Sequence, residues 1–366
     1  MPGDAGLLSE VRVLDLSVWR PGPYATQLLA EIGADVLKVE PPGGDPMRVY
    51  PELFAGLHAN KRSIVLDLKH GGDRRRALEL AAEADVVIEG FRPGVAARLG
   101  VGYDDIRAVA PSVIYCSVSG LGQSGPLRRA PGHDLNYQAW AGALTPDGGE
   151  PEVSKLPIAD LAGGMAAAFA ICAALVRRQR TGEGEYIDAA MTDVLATWTG
   201  AATPRARDSE PSESATEPRG VPGYGLFATA DGRYLTLGVL SEDHFWTALC
   251  DALDIDDGRD LRFVERMERA SELQPRIAGV IAGRNRDELV DTLLACDVPV
   301  APVLDRNEML ELPHLREREV ATSDRWADRS IGYPVRLAHH AARRTSPPPE
   351  LDQHRGGGFL PRSDPD

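Results

Sequence analysis

The feature that most constrains this chain is a hydrophobic period that switches repeatedly between two and about 3.6 from Val11 to Val118. Val11-Arg-Val-Leu-Asp-Leu16 alternates as a half-buried strand does. Pro21-Gly-Pro23 then turns the chain into a helix over about 24–32, which Gly33 ends, and Asp35-Val-Leu-Lys-Val-Glu40 is a second strand. The pattern continues with a strand over 62–67, a charged helix over 73–84, a strand over 85–89 and a Gly90–Gly94 turn. Helices to about Leu99 and over 103–109 precede a strand over 113–118. Strands alternating with helices in this way make βαβ units, so the class is α/β with a Rossmann-like, parallel-sheet large domain. The first turn, Arg20-Pro-Gly-Pro23, lacks the Gly-x-Gly-x-x-Gly cradle for a pyrophosphate, which argues against a nicotinamide or flavin enzyme.

A single ordinary core does not hold 366 residues, so a second domain is expected. Residues 1–200 are assigned to the large domain, and the Pro-, Ser- and Glu-rich stretch 201–222 reads as a linker. An Asp-Gly hairpin signal over 225–238 opens a smaller α+β domain over 223–318. The remainder, 319–366, returns to the large domain and carries Pro347-Pro-Pro349 and Gly356-Gly-Gly358, which predict a loose tail. The apolar run 161–175 predicts a core helix buried on every side and too short to cross a bilayer.

The net charge of −15 argues against general binding to nucleic acid or an anionic membrane. Four scattered cysteines form no metal, redox or disulfide pattern. With no basic leader and no apolar run of about 20 residues, the expectation is a soluble cytoplasmic protein without metal or prosthetic group.

The chemistry concentrates between Pro131 and Asp160, where His133 and Asp160 close a compact unit bordered by small residues. Such a pair suits proton transfer at the carbon beside a thioester, one group on each face. Asp160 also suits nucleophilic attack on the thioester carbonyl, with Gly163 and Gly164 leaving room. Each has a structural alternative: His133 as a hydrogen-bonded core histidine, Asp160 as a helix N-cap. Glu242 suits polarisation of a carboxylic substrate or, equally, a first-turn helix acid. Lys38, Lys61, Arg62, Arg92 and Arg98 suit a ligand with several phosphates, against a default of solvated surface.

Several stretches carry a resemblance: Gly33–Glu40, Asn60–Lys69, Gly90-Phe-Arg-Pro-Gly94, Gly120-Leu-Gly-Gln-Ser-Gly-Pro126, Gly132-His-Asp-Leu-Asn-Tyr137, Ile158-Ala-Asp160 and Arg180-Thr-Gly-Glu-Gly184. Together they resemble the family III CoA-transferase superfamily, the CaiB/BaiF group, which includes α-methylacyl-CoA racemases. The resemblance implies an interlocked homodimer acting on acyl-CoA, with CoA present only as part of the substrate. It implies CoA contacts at Lys38, Ala59, Lys61, Arg62, Phe91 and Arg92, and catalysis at Asp160. His133 matches the racemase partner, a position where transferases commonly carry tyrosine or phenylalanine. Racemases have a Glu-Pro-x-Phe segment where this chain has Leu240-Ser-Glu-Asp-His-Phe245, so Glu242 is the candidate for that glutamate.

The first expectation is epimerisation of a 2-methyl-branched acyl-CoA through His133 and Asp160. The second is CoA transfer between carboxylic acids through an anhydride on Asp160, and the third is a non-catalytic acyl-CoA-binding scaffold.

Overall fold

The structure, a computed structural model, describes residues 6–144, 151–200, 220–324, 327–340 and 342–362. The chain divides into two compact units, Met1–Pro204 with Pro313–Asp366, and Arg205–Leu312. The predicted linker lies almost wholly outside the described residues.

In the first unit the period-two runs become a six-stranded parallel sheet: β1 (Arg12–Asp15), β2 (Asp35–Glu40), β3 (Lys61–Val65), β4 (Val86–Glu89), β5 (Ile114–Ser119) and β6 (Glu185–Ala190). Their spatial order is β3-β2-β1-β4-β5-β6. Side-chain alternation sorts the strands onto two cores. Val13, Val36, Val86 and Ile88 join Ile114 and Cys116 on one face, beneath α1 (Pro21–Glu31). Leu14, Leu37, Val87 and Tyr115 face the other way. That side is covered by α3 (Gly71–Glu83) and α5 (Tyr103–Val109), which follow α2 (Pro51–His58) and flank α4 (Val95–Leu99). Each fully buried Val, Leu or Ile contributes about 1.5–3 kcal/mol against an exposed one, so these two layers set the strand register. Strand order reverses between β1 and β4, and a crevice for ligands forms beyond the carboxyl ends of strands at such a point.

Beyond β5 the short helix α6 (Asp134–Trp140) leads to α7 (Ile158–Thr181), which packs on the first face through Ala167, Ile171 and Leu175; α8 (Met191–Gly200) follows β6. Helix α7 departs from expectation twice. Its 24 residues make it long and apolar enough, by length and composition alone, to cross a membrane. It is also not buried all round, because Met165, Phe169 and Val176 are exposed. Gly163 and Gly164 are buried in it, and a Cβ on Gly164 would stand 2.5 Å from the Pro21 carbonyl oxygen, while one on Gly163 would meet Met191. These glycines therefore let α7 approach α1 and α8, and the space expected for an attacking ligand is already filled by the protein.

The second unit is an antiparallel sheet of β7 (Tyr224–Ala228), β8 (Tyr234–Gly238) and β9 (Val300–Pro302), in that order. Its core joins Leu235, Leu237 and Trp246 to the helices α9 (Asp243–Ala252), α11 (Ala270–Ala282) and α12 (Arg286–Ala295), with α10 (Phe263–Glu268) and α13 (Arg306–Glu311) beside them in sequence. The predicted hairpin is β7–β8, with Gly232 at φ +73° in its Asp-Gly turn.

After α14 (Pro313–Glu317) and an antiparallel pair, β10 (Ala321–Asp324) with β11 (Ala327–Ile331), the chain lies along the first unit. The stretch around the proline and glycine runs is irregular but tied down, unlike the loose tail expected. Asn60 accepts from the Thr345 and Ser346 amides, His354 donates its amide to the Ser63 carbonyl, and Leu360 donates to Asp35.

Candidate functional site

Asp160 stands in the first turn of α7, with Pro157 rather than Asp160 in the capping position. The cap is supplied from elsewhere, because the Asp134 carboxylate accepts the Asp160 backbone N–H at 3.0 Å. Asp134 is the first residue of α6, so one hydrogen bond joins the two ends of the Pro131–Asp160 unit. The helix dipole favours negative charge at this terminus. The Asp160 carboxylate is nevertheless pushed up to about 7, by burial first and by the Asp134 charge second, and Arg20 opposes both from 3.9 Å. Desolvation wins because the Asp160 side chain is only 18% exposed and no described residue donates a hydrogen bond to its oxygens. The result is a basic carboxylate with unengaged lone pairs.

Tyr137 of α6 forms one wall. Its phenol donates to the Gly132 carbonyl at 2.6 Å, and its ring occupies the place of a side chain on Gly120. Burial raises the phenol's pKa, Asp160 raises it further and Arg92 lowers it, so Tyr137 lies within electrostatic reach of both. Arg20 and Arg92 follow β1 and β4, the two strands at the reversal of strand order.

His133 caps α6, its backbone N–H donating to Asn136 at 3.0 Å, and it is exposed, so the core-histidine alternative does not hold. Glu242 is exposed at the N-cap of α9 in the second unit. The structure thus gathers Asp160, Asp134, Tyr137, Arg20 and Arg92 in one unit and leaves Glu242 in the other. Asp134 and Arg20 escaped the sequence reading. The one available signal was Asp134 beside His133, opening a helix that the sequence did not suggest.

The expected phosphate-binding residues divide. Phe91 is half-buried and Arg92 and Arg98 are exposed. Lys38, Ala59 and Lys61 are buried inside the unit. Lys38 donates to the Ser17 carbonyl at 2.7 Å and pairs with Asp45 at 2.8 Å, and Asp45 accepts the Trp19 amide at 3.3 Å. Lys61 donates to Thr26 and to the Pro23 carbonyl and pairs with Asp15 at 3.4 Å. Burial brings the Lys61 ammonium down to about 7 against the attraction of Asp15. Both lysines therefore brace the turn between β1 and α1 from within. Arg62 clamps Asp35 with two short bonds and holds the Gly358 carbonyl, fastening the C-terminal stretch. The physical reason is pairing: the Lys38 and Lys61 ammonium groups are spent on the buried carboxylates of Asp45 and Asp15, and Arg62 on Asp35.

An apolar pocket of about 250 Å³ opens beyond the first three strands and is lined by Leu16, Val18, Val39, Leu66, Leu68 and Phe91. Among the described residues, no cluster of His, Cys, Asp and Glu is arranged to hold a metal.

An aspartate in an unfolded chain ionises near 3.9, so between that pH and about 7 the folded protein holds a proton on Asp160 that the unfolded chain has lost. Stability must fall as pH rises through this window. Asp160→Asn, which mimics the neutral acid, should match the parent near pH 4 and exceed it by roughly 1–3 kcal/mol at pH 8. Urea denaturation at the two pH values checks this.

The comparisons with known proteins give the family. The model of CoA-transferase family III matches residues 8–355. The acetyl-CoA:oxalate CoA-transferase of Acetobacter aceti is 34% identical over 334 residues, covering 84% of this chain and 83% of that protein. The human succinyl-CoA:glutarate CoA-transferase is 30% identical over 369 residues, covering 95% and 84%. The crystal structure of a CaiB/BaiF family protein from Brucella suis superposes with a TM-score of 0.86 at 28% identity, covering 96% of this chain and 97% of that one. With a six-stranded parallel sheet and a family match along nearly its whole length, this chain belongs to CoA-transferase family III.

Proposed function

We propose that this protein moves CoA between carboxylic acids through an anhydride on Asp160. The observation that carries this reading is the Asp160 carboxylate itself, desolvated, without a hydrogen-bond donor among the described residues and seated at a helix N-terminus. One Asp160 oxygen attacks the thioester carbonyl, the carbon–sulfur bond breaks, and CoA leaves as thiolate. The mixed anhydride has two electrophilic carbons. Thiolate attack on the Asp160 carbon releases the donor acid and leaves an aspartyl thioester. The incoming carboxylate attacks that carbon and expels thiolate, which then takes the new acyl group and restores the Asp160 carboxylate. No external base enters any step, and the N–H groups at the start of α7 favour the negative charge that develops on Asp160.

Transfer displaces the epimerisation that the sequence put first. The relatives described above are named for CoA transfer, and the nucleophile is in place without recourse to His133 as a second base. The apolar pocket beside Phe91 fits the nucleobase of CoA, and exposed Arg92 suits its phosphates. An interlocked homodimer, implied by the resemblance, is part of this proposal; a monomeric mass in light scattering would remove it.

Incubation with an acyl-CoA followed by hydroxylamine should convert Asp160 to a hydroxamate and abolish activity. The rate of adduct formation should rise with pH about a midpoint near 7, since only the ionised carboxylate attacks. Deuterium entering the α-carbon in D2O without any acyl adduct on Asp160 would return the assignment to epimerisation.

A further inference from the structure

Arg20 is the second charged group at the nucleophile, and its surroundings are unusual. The side chain is only 22% exposed, yet among the described residues its guanidinium donates no hydrogen bond. Among the described residues its one ion-pair partner is Asp160, at 3.9 Å, beyond hydrogen-bond length. Five N–H donors are therefore available in a fork whose geometry matches a carboxylate.

The position of Arg20 is built rather than incidental. Trp19, immediately before it, adopts φ +67°, a left-handed conformation that costs a bulky residue about 1 kcal/mol or more. That turn is held by the Trp19 amide on Asp45, by Lys38 between Asp45 and the Ser17 carbonyl, and by Ser17 on Asp15. Pro21 and Pro23 fix the first turn of α1 directly after it. Arg20 is thus presented from a rigid corner at the carboxyl end of β1.

We propose that Arg20 is the binding residue for the reacting carboxylate of the acceptor acid. This rests on the anhydride reading. Acylation of Asp160 converts a carboxylate into a neutral acyl group, which removes the one anion paired with Arg20 among the described residues. A largely buried guanidinium without a counter-charge is costly, so the acylated enzyme attracts an anion to this spot more strongly than the free enzyme does. The acceptor carboxylate supplies that charge. Held in the fork, its oxygen lies beside the Asp160 acyl carbon that it must attack. The same switch explains the order of events: with Asp160 ionised, a second carboxylate is repelled; with Asp160 acylated, it is drawn in. Hence the fold discriminates between donor and acceptor by charge at one atom pair.

The test uses the full-length protein with an acyl-CoA donor and succinate as the probe acceptor. Assays are run at about pH 9, because loss of Arg20 removes the one group that lowers the Asp160 pKa. In Arg20→Gln the KM for succinate should rise about 10- to 100-fold, the loss of a bidentate charge-assisted contact. The KM for acyl-CoA should move less than about threefold. Arg20→Lys, which keeps the charge but not the fork, should recover part of the succinate affinity and serves as the test if Arg20→Gln does not fold. Equal changes in both KM values, or an unchanged KM for succinate, would overturn the assignment. Absence of an acyl adduct on Asp160 in the parent protein would instead overturn the anhydride reading.

Discussion

The hydrogen bond from the Asp160 amide to the Asp134 carboxylate is the interaction on which the site depends. It caps α7 from a separate helix, fixing the first turn of the longest helix in the described structure against α6. It also sets two carboxylates side by side in a partly buried place. Together, with burial, they leave Asp160 basic enough to attack a thioester yet ionised in an appreciable fraction near neutrality.

Helix packing delivers this arrangement. Because Gly164 has no side chain, α7 lies against the Pro21 carbonyl, and Pro21 adjoins Arg20 in sequence. The contact that joins α1 to α7 is therefore also the contact that sets Arg20 beside Asp160. Lys38 and Lys61 take part at one remove, since both spend their ammonium groups on the β1–α1 turn. Two lysines buried in this way carry a desolvation cost that the Asp15 and Asp45 carboxylates offset. Polar burial on this scale stiffens the corner from which Arg20 projects.

How much of this was legible in the sequence follows from which forces act locally. Alternation at Val13 and Leu14, or at Val36 and Leu37, marked the strands because a strand's two faces must meet two cores. Helix α1 and the Asp-Gly hairpin were readable for the same local reason, although the prolines expected as a turn before α1 lie in its first turn, and Asp160 stood out with its family context. Other assignments failed where distant residues decide the outcome. Lysine in a strand reads as a ligand for phosphate, but Lys38 meets Asp45 across the loop after its own strand and Lys61 meets Asp15 on another strand. Glycine at 163 and 164 reads as open space, whereas a neighbouring helix occupies it. Asp134 and Arg20 escaped notice because their roles exist only once α1, α6 and α7 have come together. Choosing transfer over epimerisation likewise needed the relatives, since both chemistries use Asp160.

The central claim is that the Asp160 carboxylate forms and breaks covalent bonds in each cycle, and oxygen exchange reports this directly. In a single turnover with an acceptor acid labelled in both carboxylate oxygens with oxygen-18, the acid's bridging oxygen must remain on Asp160 when thiolate removes the acyl group. Mass spectrometry of the peptide holding Asp160 should therefore show one heavy oxygen, and the released donor acid should show none. Heavy oxygen in the donor acid with none on Asp160 would contradict the account, because the two acids would then have exchanged directly.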